Sequence, residues 1–197
     1  MVDRVLRHFR PVHSKLRWAL LVVAFVLWTG FNVNTPLFEA PDEHHHFYTA
    51  KFIADTGRLP VADIGALPRQ EAAQPPLYYA VAALPLRALR LGNAPTTMIY
   101  NPLVEIPSLN ARVNVNAFVH SHAEAWPWRG LALAVHVLRM LSALAGMVTL
   151  LSIYATARLL WPETPLIALC AAGLAAFLPQ FGFLHGVMTN DGFLIAA

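Results

Sequence analysis

The chain has 197 residues, of which 57% are hydrophobic and 13% charged, and its net charge is +3. A soluble domain carries roughly 25% charged residues, so this is the composition of a membrane protein. The basic excess is concentrated at the N-terminus, where it reads as an orientation signal and not as a nucleic-acid footprint.

Residues 1–17 carry Arg4, Arg7, Arg10, Lys15 and Arg17 against the single acid Asp3, and are expected to stay in the cytoplasm. Residues 18–38 then contain no charge and are long enough to span a bilayer, with Trp18 and Trp28 as interface anchors. A cleaved signal peptide is the rival reading. No Ala-x-Ala-like site follows the apolar core, which favours an uncleaved anchor and sends the next segment to the opposite side.

Residues 39–130 hold most of the prolines and acids and are read as an outer loop with short interfacial helices. Its first feature is Pro41-Asp42-Glu43-His44-His45-His46-Phe47, two adjacent carboxylates and three imidazoles directly after the apolar segment. Acid–base chemistry at the membrane surface suits that set. So does an ordinary helix start, with Asp42 as cap and Glu43 favoured by the dipole, and the residues alone leave both open. A helix is expected over 42–56, with Phe47, Ala50, Phe52, Ile53 and Ala54 on its apolar face and Gly57 as its stop. On it Asp42, His45 and His46 fall on one face at spacings of three and four.

Gln74-Pro75-Pro76-Leu77-Tyr78-Tyr79 opens an apolar stretch that ends at Arg87, is interrupted by Pro85, and is too short to span. It suits a helix lying in the interface, with Pro75 and Pro76 in its first turn and both tyrosines at headgroup depth. A buried amphipathic helix of an external subdomain is the alternative. Residues 93–128 read as an extended loop, in which His120-Ser121-His122-Ala123-Glu124 is either a metal half-site or an exposed polar turn.

Residues 131–160 form the second expected crossing, with His136 and Arg139 near its start, Arg158 at its cytoplasmic end, and a small-residue face of Ser142, Ala143, Ala145 and Gly146. Residues 161–164 make a cytoplasmic turn. Residues 165–188 cross outward again, kinked at Pro179, with the lone Cys170 as a small core residue that excludes an intramolecular disulfide. Residues 189–197 bring Asn190 and Asp191 to the face that carries Asp42 and Glu43, and Phe193 to Ala197 begin a further helix. The expected fold is all-α: a polytopic helical membrane protein with three full crossings and the start of a fourth.

In this order, the Pro-Asp-Glu motif, the Pro-Pro-Leu-Tyr-Tyr segment, two further helices and the Asn190-Asp191 pair resemble the N-terminal part of the C-type integral membrane glycosyltransferases, which include protein O-mannosyltransferases and aminoarabinose transferases. The Asn114–His120 and Glu124–Gly130 stretches look like a bacterial lipid-carrier-dependent branch. The resemblance covers nearly all of this chain but a minority of a full-length member, implying an N-terminal fragment or a truncated gene product.

The resemblance also implies a bacterial inner-membrane enzyme that takes a sugar from a polyprenyl-phosphate donor, with membrane lipid as its surroundings. Asp42 is then the base or its organiser, with Glu43 beside it and Asp191 as the second-loop acid. Gln74, Tyr78, Tyr79, Asn190 and Arg129 would contact substrate. Related sequences often carry lysine where this chain has Gln74, so Arg69, Arg112 or Arg129 is the expected phosphate-binding cation. No cofactor is required; a divalent metal on His45 and His46, with Asp42 and a loop histidine, is the accessory reading. The competing functions are a non-catalytic membrane protein of the same fold and a metal-binding or transport component.

Overall fold

A computed structural model describes residues 11–61, 71–91, 99–102, 104 and 116–196. Arg4, Arg7, Arg10, Arg69 and Arg112 lie outside the described residues. The architecture is all-helical: α1 Pro11–Asn34, α2 Glu43–Thr56, α3 Leu77–Leu89, α4 Gly130–Leu160, α5 Pro165–Ala176, α6 Pro179–Gly186 and α7 Asp191–Ala196. Among the described residues the extended pairing is one isolated antiparallel bridge, Tyr100 with Phe118. The chain divides into a unit of residues 1–33 with 139–197 and a unit of residues 34–138.

The membrane character lies in α1, in α4, whose residues 130–138 belong to the second unit, and in α5 with α6. Ser14–Asn34 of α1 and all of α4 are each long and apolar enough to cross a bilayer, and α5 with α6 qualifies only as a pair bent by 66°. The protein is therefore a membrane protein with two candidate crossings, or three if the bent pair is one. A single kinked helix over 165–188 is not what forms. The helix stops at Ala176, and Pro179 opens a new one in the first-turn position where its missing N–H costs nothing.

Small residues let these helices approach closely. Leu21, Ala24 and Trp28 of α1 pack with Ala143 and Leu150 of α4 and Ala176 of α5, and Tyr154 and Ala157 pack with Ala168 and Ala172. Gly146, on the expected small face, is where the room is least: a Cβ there would lie 2.4 Å from the His185 ring and 2.6 Å from Trp28. Trp28 is accordingly 0% exposed and stacks on His185 at 5.1 Å; it is a core residue, not the interface anchor expected. Cys170 is exposed. It is not a core residue, because α5 buries the Ala168, Ala172, Ala176 stripe at four-residue spacing and Cys170 falls off that stripe.

The first helix is displaced toward the N-terminus from the expected 18–38. Pro36 removes an N–H and biases Thr35 away from helical angles, so α1 ends at Asn34. At its other end Arg17 is accommodated by cation–π contacts, its guanidinium 5.1 Å from the Trp18 ring and 5.5 Å from the Tyr154 ring. Arg139 of α4 is fully buried, and its Nη1 donates at 2.8 Å to the Asn32 carbonyl. That carbonyl belongs to the last turn of α1, the negative end of the helix dipole, which gives a cation in an apolar unit a favourable partner.

In the second unit α2 packs against α3. Phe47, Ala50 and Ala54 are buried on α2, and Gly57, with φ 67°, ends it by donating its N–H to Ile53. On α3 the buried side is Tyr78, Tyr79, Ala82, Ala83 and Leu86. Both tyrosines are buried inside the unit, and the helix begins after the prolines, with Pro76 as its cap. The opposite side of α3 exposes Leu77, Ala80, Leu84 and Ala88, an apolar stripe at helical spacing.

Candidate functional site: the acidic turn before the second helix

Two successive tight turns connect α1 to α2. Glu39 N–H donates to the Pro36 carbonyl and Glu43 N–H to the Ala40 carbonyl, each at 3.3 Å. The third residue of each turn is left-handed, Phe38 at φ 64° and Asp42 at φ 56°, ψ 4°. With Pro41 at the second position, Ala40–Glu43 has the form of a type II turn. Aspartate tolerates this region and phenylalanine does not, so Phe38 must be held there by its surroundings. Its N–H donates to Glu43 Oε2 at 2.9 Å, and its ring meets Phe47 at 5.4 Å and Phe118 at 6.3 Å.

The turn separates the two motif acids. Glu43 is 0% exposed and closes back over the first turn. Asp42 is exposed and stands at the N-cap position, yet its side chain makes no capping hydrogen bond. The expectation that Asp42 caps α2 therefore does not hold, because a left-handed backbone at the cap turns the side chain away from the helix N–H groups.

Most other acids of this unit are engaged within it. Glu39 accepts from Ala117 N–H at 2.9 Å, from Phe118 N–H at 3.0 Å and from His120 Nε2 at 2.9 Å. His120 Nδ1 is 2.8 Å from Glu124 Oε2. Glu71 accepts from the Tyr79 hydroxyl at 3.2 Å, and that oxygen is 3.0 Å from His46 Nδ1. Gln74 Oε1 sits at the edge of this network, 3.5 Å from Tyr79, and Tyr78 meets the His46 ring edge-on. Asp55 pairs with Lys51.

Asp42, His45 and His46 do not share one environment, although their spacing put them on one face. His46 is buried against Tyr79, while His45 is half-buried beside His44, their rings 3.8 Å apart. Burial, reinforced by the neighbouring His45 charge and only partly opposed by Asp42, lowers the His44 pKa to about 4, so a neutral imidazole lies beside the acid. Among the described residues no three His, Cys, Asp or Glu side chains form a group that could hold a metal ion. The two nitrogens of His120 each face a carboxylate, Nε2 that of Glu39 and Nδ1 that of Glu124. The segment forms a short 3₁₀ turn, His122–Glu124, with Ser121 as its cap.

In the first unit Asp191 opens α7, exposed, with its N–H on Thr189 Oγ1 at 3.2 Å. The Asn190 carbonyl accepts from the Phe193 and Leu194 N–H groups of that helix. Arg129 is exposed immediately before α4. Glu39 escaped the sequence reading because its partners are remote: it bonds to residues 78 to 81 positions away, which no local spacing reveals. Fold and site together define an all-helical membrane protein with an exposed aspartate on a left-handed turn. No protein-family model, curated protein or solved structure matches the chain.

Proposed function

We propose that the protein is a membrane glycosyltransferase, or part of one, in which Asp42 is the general base toward a sugar carried on polyprenyl phosphate. The carrying observation is the sorting of the acids: Glu39, Glu43, Glu71 and Glu124 are bonded within the fold, and Asp42 is held outward by a turn that a side-chain cap would not require. In this reaction the acceptor hydroxyl oxygen attacks the anomeric carbon, its proton passes to Asp42, and the carbon–oxygen bond to the lipid phosphate breaks with inversion. Arg129 supplies the cation for the departing phosphate. Glu43 positions the turn.

The matching topology has a cytoplasmic N-terminus in a bacterial inner membrane. Three crossings are α1, α4 and the broken pair α5–α6, followed by the start of a fourth at α7. The Leu77–Leu84 stripe of α3 then lies in the bilayer surface, where a lipid-linked donor arrives.

The test is transfer of labelled sugar from a polyprenyl-phosphate donor in membranes containing each variant. Asp42→Asn keeps the left-handed turn, because asparagine tolerates it, and removes the proton acceptor. Transfer is expected to fall on the order of a hundredfold to ten-thousandfold with insertion unchanged. Full activity in Asp42→Asn would sink the proposal.

A further inference from the structure

The least expected polar feature of the second unit is His120 between two carboxylates. Nε2 lies 2.9 Å from Glu39 Oε1 and Nδ1 lies 2.8 Å from Glu124 Oε2. An ionised carboxylate only accepts, so both ring nitrogens must donate, and a ring with two N–H groups is an imidazolium. A neutral ring would set a lone pair against one of the two carboxylates. The same Glu39 carboxylate takes the Ala117 and Phe118 N–H groups, so its charge gathers residues 117–120 onto the turns that present Asp42. Phe118 in turn touches Phe38, the left-handed residue of the first turn.

We propose that Glu39 and His120 are positioning residues for Asp42, forming a proton-dependent clamp in which a charged His120 bridges Glu39 and Glu124 and holds residues 117–120 against the acidic turn. Among the described residues, the other titratable groups in ring contact with this segment are His44 and Tyr100, at 5.4 and 4.8 Å from the Phe118 ring. Burial by itself would lower the His120 pKa, but the hydrogen bonds and charges of Glu39 and Glu124 together outweigh it and raise it above 6.5. A group whose pKa is raised on folding contributes stability that is complete below its unfolded value and is lost as pH rises through the folded one. The clamp is therefore closed in mild acid and loosens on the alkaline side.

The Ala117 and Phe118 amides report the clamp directly, through hydrogen exchange of the purified chain in nanodiscs, expressed as protection relative to the intrinsic rate at each pH. Protection is expected to fall roughly tenfold or more between about pH 5.5 and about pH 8.5. The expected midpoint lies above 6.5. His120→Gln should remove the pH dependence. Glu124→Gln, which keeps the Glu39 contact and the fold, should move the midpoint to lower pH. Protection independent of pH in the unmodified chain, or an unmoved midpoint in Glu124→Gln, overturns the clamp. Its consequence for Asp42 rests on the reading of that residue as a base, and the two fail separately. If exchange titrates as expected while Asp42→Asn still transfers sugar, the clamp stands and the enzymatic reading falls.

Discussion

Asp42 and Glu43 are neighbours with different work, and substitution separates them. At φ 56° Asp42 occupies a region that a β-branched side chain resists, so Asp42→Val should destabilise the second unit by about 1–2 kcal/mol while Asp42→Asn does not. Glu43→Ala leaves the buried Phe38 N–H without its carboxylate and should cost about 1–3 kcal/mol. Denaturant unfolding in detergent, followed by hydrogen exchange in α2, measures all three. The histidines set a pH window for the same unit. His44, lowered to about 4, is neutral when folded but protonates near 6.5 when unfolded, so its contribution falls as pH drops from 6.5 toward 4. His120, raised above 6.5, loses its contribution on the other side. Exchange protection of α2 should peak near pH 6.5, and His44→Gln should flatten the acid limb alone; a limb unchanged in that variant would refute the assignment.

Between elements, the decisive contact is the one that a missing Cβ permits. Gly146 of α4 faces the rings of His185 and Trp28, whose carbons would lie 2.4 and 2.6 Å from an added methyl group, and neither ring is a flexible tip. Gly146→Ala should therefore destabilise by about 1–3 kcal/mol, the usual cost of overpacking. Gly173 of α5 has nothing within 4 Å of the same added atom, and Gly173→Ala should be neutral or slightly stabilising. Unfolding of both variants in mixed micelles makes the comparison. Equal gains would mean that helix propensity, not packing, decides.

At the scale of the whole chain the open quantity is the number of crossings. α5 and α6 provide roughly 18 Å and roughly 12 Å of helix at 1.5 Å per residue, against a hydrocarbon core of roughly 30 Å, so a bend reduces what they can span. In a Cys170→Ser background, cysteine at Val61 should react with an impermeant reagent from outside, and cysteine at Glu163 only after permeabilisation. Asp191→Cys should label from outside if α5–α6 is one broken crossing. Labelling from inside would make it a re-entrant pair. Reversal at 61 and 163 would remove the proposed orientation altogether.

Composition and periodicity were enough to establish an apolar, helical membrane chain, the extent of α4, and the helix expected over 42–56 with its Gly57 stop, which begins one residue later at Glu43. These follow from local chemistry: hydrophobic run length, a glycine free to adopt positive φ, prolines that end helices. What the tertiary structure decided was which polar groups are spent. Glu43, His46 and Tyr79 are buried in bonds, and Trp28 sits in a core and not at an interface. Glu39 is tied to residues far along the chain, and Pro179 starts a helix where a kink was expected. Each depends on partners brought together only by folding, and a carboxylate in sequence looks the same whether it will bind a backbone amide or stand free in water, as Asp42 does.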